Sequence, residues 1–319
     1  VMQAIGRHAQ LNPVDAALYR YVLIPRVRDA LLQQKAAAAW EDSRPAWGRG
    51  RIDPFNPVKF GHILGLDPYR DQTIGNSDME PLWDMGKQQG YSLHWDGLDT
   101  SLTEVVLTGA LGDGASPSSL PVQDLHALQD WISGVQPPKY PFPIDQALAG
   151  QGSAIYGQLC ASCHAFGGAR TGTVIPQSED GTDRHRLDMW TQEAATRYNA
   201  YAGNYPWHFS HFVKTDGYVS VPLDGAWLRA PYLHNGSVPS MDDLLKPVAQ
   251  RPTVFYRGYD VYDPVHMGFV SDGDAAKAYG TKYDTSVAGN GNAGHEGHAY
   301  GTDLSDDQRR ALLEYMKTL

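Results

Sequence analysis

Residues 156–168 read YGQLCASCHAFGG and hold both cysteines of the chain. Cys160 and Cys163 are separated by two residues, and His164 follows at once. That order suits covalent attachment of a c-type haem. Each thiol adds to one vinyl group, so the sulfurs must lie one helical turn apart. The adjacent histidine then supplies the proximal nitrogen to the iron. Competing chemistries lack their other parts. A zinc site wants four ligands, usually with a second pair at set spacing, and none is present. A thioredoxin-type pair wants a βαβ context, which the sequence does not offer. A disulfide across two residues closes too small a loop to stabilise much.

The flanks supply helices. In DQALAGQGSAIYGQL, Asp145 is placed to cap a helix, and Ala147, Leu148, Gly152, Ile155, Tyr156 and Leu159 recur with helical spacing. At the far end, LSDDQRRALLEYMKTL opens with a capping box from Ser305 to Gln308. Leu312, Tyr315, Met316 and Leu319 then share one face. Gly152 lets an aromatic-bearing helix cross closely. The arrangement resembles the crossed first and last helices of the cytochrome c fold, with Gly152 and Tyr156 meeting Leu312 and Tyr315.

One such core needs only about a hundred residues, and the chain has 319. Two domains are expected. With 33 Gly and 21 Pro, long irregular connections should join the helices. The net charge of −10 argues against nucleic acid and anionic membranes and would suit a basic partner. No apolar run approaches the ~20 residues of a membrane helix, and no signal peptide is visible. The chain opens with Val1, so upstream sequence is expected to have been removed or left out. A periplasmic or extracellular bacterial location follows from the haem alone, because c-type haem is attached outside the cytoplasm.

A Pro-rich linker lies near residues 135–143. Before it, Leu125, Leu128, Trp131 and Ile132 predict a short amphipathic helix. Residues 1–143 therefore read as the rear part of a first cytochrome c-like domain plus linker, with no haem motif of its own. Residues 144–319 read as a complete c-type haem domain. Within the first part, Asn12-Pro13 starts a helical stretch that Pro25 is expected to kink, and RDALLQQKAAAAW has high helix propensity.

Beyond these local signals, the stretches WGRGRIDPFNPVKF, IGNSDMEPLW, LHWDG, YPFPIDQALA, LDGAWLRAPYLHNGSVPSMDDLL, RGYDVYDPVHMGFVSD and GNAGHEGHAYGTDLS resemble the C-terminal part of dihaem c-type cytochromes. Those proteins are related to bacterial dihaem cytochrome c peroxidases and, more closely, to the rubber oxygenase type. The resemblance covers the chain from about residue 45 onward. RAPYLHNGSVP together with the haem motif is its most specific part. Family members carry an N-terminal haem domain with its own motif, which is missing here. Either the chain is a one-haem relative or it is the latter part of a longer protein. The second is favoured, because a half domain without its cofactor would expose apolar helix faces. A second haem is expected only if such upstream sequence exists. The family also implies an interdomain calcium ion, though SDGDA and LDGLD complete no twelve-residue calcium loop.

The iron's sixth position decides the chemistry. Filled, the haem carries electrons; open, it binds oxygen or peroxide. His295 leads the candidates. It sits in GNGNAGHEGHAYG, where Gly and Asn permit a tight loop over the ring, and the resembling family places a histidine of the same local pattern there. Met267 is the alternative, read otherwise as a gap-filling core residue. His234 and His298 follow, the first read more readily as a hydrogen-bonded turn residue. Arg229 is a candidate partner for a propionate, and Trp227 a candidate haem-facing ring. Trp95 and Trp190 are weaker near-haem candidates, and His94 would face a first haem.

The expectation is a mainly α-helical c-type cytochrome with long irregular loops. It carries single electrons through a six-coordinate haem to or from a redox partner protein or a larger electron-transfer complex. The alternative is a dihaem peroxidase or dioxygenase of the rubber oxygenase type, in which this haem is the electron relay. Upstream sequence bearing a second haem motif would favour the enzyme.

Overall fold

The computed structural model describes residues 11–37, 39, 47–53 and 73–319. Residues 54–60 of the stretch WGRGRIDPFNPVKF lie outside these. The chain falls into two units, Val1–Ala46 and Trp47–Leu319. The described part is mainly helical, with only two-stranded ribbons as sheet.

In the first unit, α1 (Pro13–Leu18) starts at Asn12, whose side chain accepts from the Asp15 amide, with Pro13 in the first turn. It continues through a π turn, Tyr19–Leu23, into α2 (Ile24–Ala37). The wide turn closes where the Ile24 amide donates to the Tyr19 carbonyl, just before Pro25. Pro25 has no N–H and its ring would press on the carbonyl four residues back. A locally widened helix is one way to accommodate it.

In the second unit, β1 (Arg51–Ile52) pairs with β2 (Ser77–Asp78). Then come α3 (Leu102–Gly112), α4 (Val122–Ser133), α5 (Gln146–Leu159) and the single turn α6 (Ala161–His164). After β3 (Val174–Pro176) follow α7 (Gln177–Asp180), α8 (His185–Met189) and α9 (Gln192–Ala200). β4 (Gly217–Val219) pairs back with β3. After α10 (Met241–Leu244), β5 (Val254–Arg257) pairs with β8 (Thr281–Asp284). Between those two strands lie the ribbon of β6 (Tyr262–Asp263) and β7 (Gly268–Phe269) and the helix α11 (Gly273–Tyr279). α12 (Asp306–Met316) ends the series.

Two apolar cores organise this unit. One is aromatic and joins Leu107 and Leu111 of α3 to Trp190, to Tyr198 of α9, and to Phe209 and Phe212. It draws on both sides of the expected division at residue 143, which falls inside the second unit. Residues 98–125 thus find apolar partners in the segment 189–212. The other core gathers Tyr156 of α5, Trp227, Tyr232, Met241, Met267, and Leu312, Leu313 and Met316 of α12.

α5 and α12 cross as the small residue predicts. A Cβ added at Gly152 would lie 1.9 Å from the Ala311 carbonyl oxygen. The Tyr156 and Tyr315 rings meet at 5.0 Å, and Leu312 is fully buried beside them. Asp145 caps α5 through the Ala147 and Leu148 amides, and its own amide donates to Glu314 of α12. The capping box Ser305–Gln308 is present at the start of α12. α4 forms where expected, but of Leu125, Leu128, Trp131 and Ile132 only Ile132 is buried. Trp131 stays 68% exposed. At 100° per residue, positions 125 and 132 share a face while 131 lies about 120° away from it.

Candidate functional site

α6 is the geometric centre of the site. The Cys163 and His164 amides both donate to the Cys160 carbonyl, at 3.1 and 2.9 Å. One turn therefore carries both thiols, which are free and half-buried. Burial pushes the Cys160 thiol up to about 11, so the unmodified thiol stays protonated at neutral pH.

His164 Nδ1 lies 2.7 Å from the Val221 carbonyl oxygen. The carbonyl only accepts, so Nδ1 carries the proton and Nε2 keeps a bare lone pair. This is the orienting bond that metal-bound histidines make with their second nitrogen. Burial lowers the His164 pKa and the nearby Arg229 lowers it further, opposed by the bond to Val221. The ring is thus held neutral, as a ligand must be.

The His295 ring faces His164 with centroids 6.2 Å apart and planes inclined at 47°. Two imidazoles that share one metal through nitrogens about 2 Å away have centroids about 6 Å apart. The gap is right for an iron. Burial, then His164 and Arg251, push His295 down to about 3. Its buried Nδ1 has no hydrogen-bond partner, so a bound metal would give this ring a polar contact that the protein withholds. The donor set of two thiols, an oriented imidazole and a second facing imidazole fits a covalent haem. In that fit Cys160 and Cys163 would hold the vinyl carbons and His164 and His295 would be placed to hold the iron. The group would supply reversible one-electron chemistry at the iron.

The loop bearing His295 is built tightly. His295 itself has φ 50 and Gly294 φ 86, left-handed conformations that histidine tolerates better than most residues and glycine best. A Cβ at Gly294 would lie 2.3 Å from the Thr182 amide, and the His295 amide donates to the Asp180 carbonyl at 2.7 Å. Arg251, almost fully buried, clamps the loop. Its Nη1 donates to the Asn292 and Gly294 carbonyls and its Nη2 to the His295 and Leu244 carbonyls. Nε donates to the Lys246 carbonyl. Sequence reasoning missed Arg251, because an isolated arginine carries no spacing signal. Replacing it by methionine removes these donors and strands buried carbonyls. The expected loss is about 3 kcal/mol or more, read from the denaturant midpoint of the holoprotein. The loosened His295 loop should also admit carbon monoxide to the iron in part.

Other sequence candidates fall into place around this centre. Met267 is fully buried in the core of Tyr156 and Leu312, and its backbone carbonyl takes the Tyr232 hydroxyl. Trp227 sits in the same core, its indole donating to Pro138 and its ring edge-on to Tyr140 and Tyr262. Arg229 donates to the Asp224 carbonyl, lies 5.5 Å from the Trp83 ring, and keeps a buried Nε without a partner. Burial pushes that guanidinium down to about 10. A partly buried cation with a spare, buried Nε donor suits a carboxylate such as a propionate.

His234 stacks on Tyr218 at 4.2 Å, with Nε2 3.2 Å from its hydroxyl. Burial holds its pKa far below the usual value. His298 is exposed and paired with Asp303. Trp190 lies in the aromatic core, its indole donating to Val213. Trp95 donates to the Asp78 carbonyl, and the His94 ring lies 3.9 Å from Glu80. Among the described residues no group of three His, Cys, Asp or Glu side chains converges as a metal shell. The calcium implied by the resemblance has no such ligand set there.

Comparison with known proteins gives a match over part of the second unit. Residues 217–256 match the family model described as RoxA-like, cytochrome c-like. The matched segment carries Val221, which orients His164, together with Trp227, Arg229 and His234. The uncharacterized protein y4iM of Sinorhizobium fredii is 29% identical over 286 residues, covering 76% of this chain and 64% of its own. Protein y4iJ of the same organism is 44% identical over 108 residues, covering 32% of this chain and 18% of its own. The chain thus spans less than two thirds of either relative. No helix among the described residues is long and apolar enough to cross a membrane.

Proposed function

We propose that the chain is a c-type cytochrome domain that carries single electrons. Its haem is bound through Cys160, Cys163 and His164 and closed by His295. The observation that carries this is the 6.2 Å centroid spacing of the two imidazoles, their planes inclined at 47°. The chain's own residues do three things in this reading. Val221 holds His164 in the tautomer that presents Nε2. Arg251 fixes the loop that carries His295. The core of Tyr156, Trp227, Tyr232, Met267 and Leu312 excludes water, which with the axial pair sets the potential. The electron partner is a protein or a larger redox complex, and the location is periplasmic or extracellular.

A second reading is supported by the RoxA-like match. Here the domain relays electrons to a catalytic haem elsewhere in a longer protein of the rubber oxygenase or dihaem peroxidase type. The dithionite-reduced absorption spectrum with and without carbon monoxide tests the first reading. A closed iron ignores the gas. A clear shift in the unaltered protein would mean an open iron and would sink the carrier reading.

A further inference from the structure

The two facing imidazoles are held in different ways. The His164 ring is fixed by its own hydrogen bond, from Nδ1 to the Val221 carbonyl at 2.7 Å. His295 has no counterpart to that bond, because its buried Nδ1 has no hydrogen-bond partner. Arg251 donates to the Gly294 and His295 carbonyls, and the His295 amide donates to the Asp180 carbonyl. Those bonds reach main-chain atoms. They place the loop and leave the ring free to turn about χ2, a torsion that is broad for histidine.

What lies against the His295 ring is Tyr300. The ring centroids are 4.6 Å apart and the planes inclined at 55°, within the range in which two rings attract. Tyr300 is itself well placed to hold still. It ends the 3₁₀ turn His298–Tyr300, between Gly297 at φ 103 and Gly301 at φ 72. Its amide donates to the Gly297 carbonyl at 3.0 Å. Its hydroxyl lies 3.4 Å from the Glu179 carbonyl oxygen, too long to add much. The ring, not the hydroxyl, is therefore the working part. α7 braces both residues, since Glu179 faces the Tyr300 hydroxyl and the Asp180 carbonyl takes the His295 amide.

We infer that Tyr300 is the positioning residue for His295. Its ring sets the plane in which that imidazole faces His164, doing by aromatic contact what the Val221 carbonyl does for His164 by a hydrogen bond. Tyr300 acts through His295 and needs no bond of its own to an iron. A flat ring confines its neighbour to one plane. A branched side chain of similar bulk fills the space without doing so. A ring pair of this kind corresponds to about two- to tenfold in an equilibrium.

The inference rests on the carrier reading, in which His295 closes the iron. Its test compares the unaltered holoprotein with Tyr300→Phe and Tyr300→Leu. One readout is the low-spin ferric electron paramagnetic resonance spectrum, whose principal g values follow the angle between the axial imidazole planes. The other is the affinity of the ferric protein for cyanide, which must displace His295. Y300F keeps the ring and should match the unaltered chain in both. Y300L keeps the bulk, so the turn should fold as before. Its spectrum should shift or broaden, and cyanide should bind about two- to tenfold more tightly. A lower denaturant midpoint in Y300L with unchanged g values and cyanide affinity would make Tyr300 a merely structural side chain and overturn the inference. A Y300F that departs as far as Y300L would overturn it too. Both results leave the carrier reading standing. A high-spin ferric spectrum in the unaltered protein would remove that reading and the inference with it.

Discussion

His295→Gly should turn a haem that ignores carbon monoxide into one that binds it. The glycine suits the φ of 50 at this position, so the loop should fold as before and the spectrum should report the ligand alone. Cys160 and Cys163 would keep the haem attached, and His164, still oriented by Val221, would be left as its one imidazole ligand. Saturating gas should then shift nearly all of the reduced protein, against none of the unaltered chain. His295→Met should close the iron again at a higher potential. The rise should be on the order of 100 mV, a fraction of the ~0.8 V that axial ligands span. An unchanged response to carbon monoxide in the glycine variant would show that another side chain closes the iron. Met267 is the first to check. It lies in the core shared with Tyr156 and Leu312, so ligation by it would require that core to open.

How much of this could be read from the residues depends on how local each signal is. The haem motif, the Asp145 cap, the Ser305–Gln308 box and the Gly152 crossing rest on spacings within one or two turns, and the structure has each helix feature in place. His295 drew attention through the glycines around it, and the structure brings its ring to His164 across 131 residues of chain. The Arg251 clamp and the Val221 carbonyl left no trace in the sequence. A backbone acceptor has no residue type, and an arginine that binds carbonyls looks like any surface arginine. The aromatic core was also hidden. Its members lie at residues 98–125 and 189–212, and periodicity shows which face a helix buries but not which distant segment covers it. Trp131 shows the converse, since a large apolar side chain grouped with Leu125 and Ile132 in the sequence lies off their face and remains on the surface.

Two glycines on α5 should respond to alanine with opposite signs. Gly157 has nothing within 4 Å of an added Cβ. Gly157→Ala therefore gains helix propensity and should stabilise by roughly 0.5–1 kcal/mol. Gly152 faces α12, where the added carbon would sit 1.9 Å from the Ala311 carbonyl oxygen and 2.9 Å from the Tyr315 Cβ. Ala311 contributes a backbone atom in mid-helix, which cannot swing away. α5 and α12 must separate, and the contact of Tyr156 with Tyr315 and the burial of Leu312 loosen with them. Overpacking of this kind costs about 1–3 kcal/mol, a large share of the ~5–15 kcal/mol that holds a domain together. Denaturant midpoints of the two holoproteins measure the difference directly. Because α5 leads straight into the turn that carries Cys160, Cys163 and His164, G152A should also lower the yield of haem-loaded protein while G157A leaves it unchanged. Equal stability in the two variants would mean that the helices do not cross at Gly152.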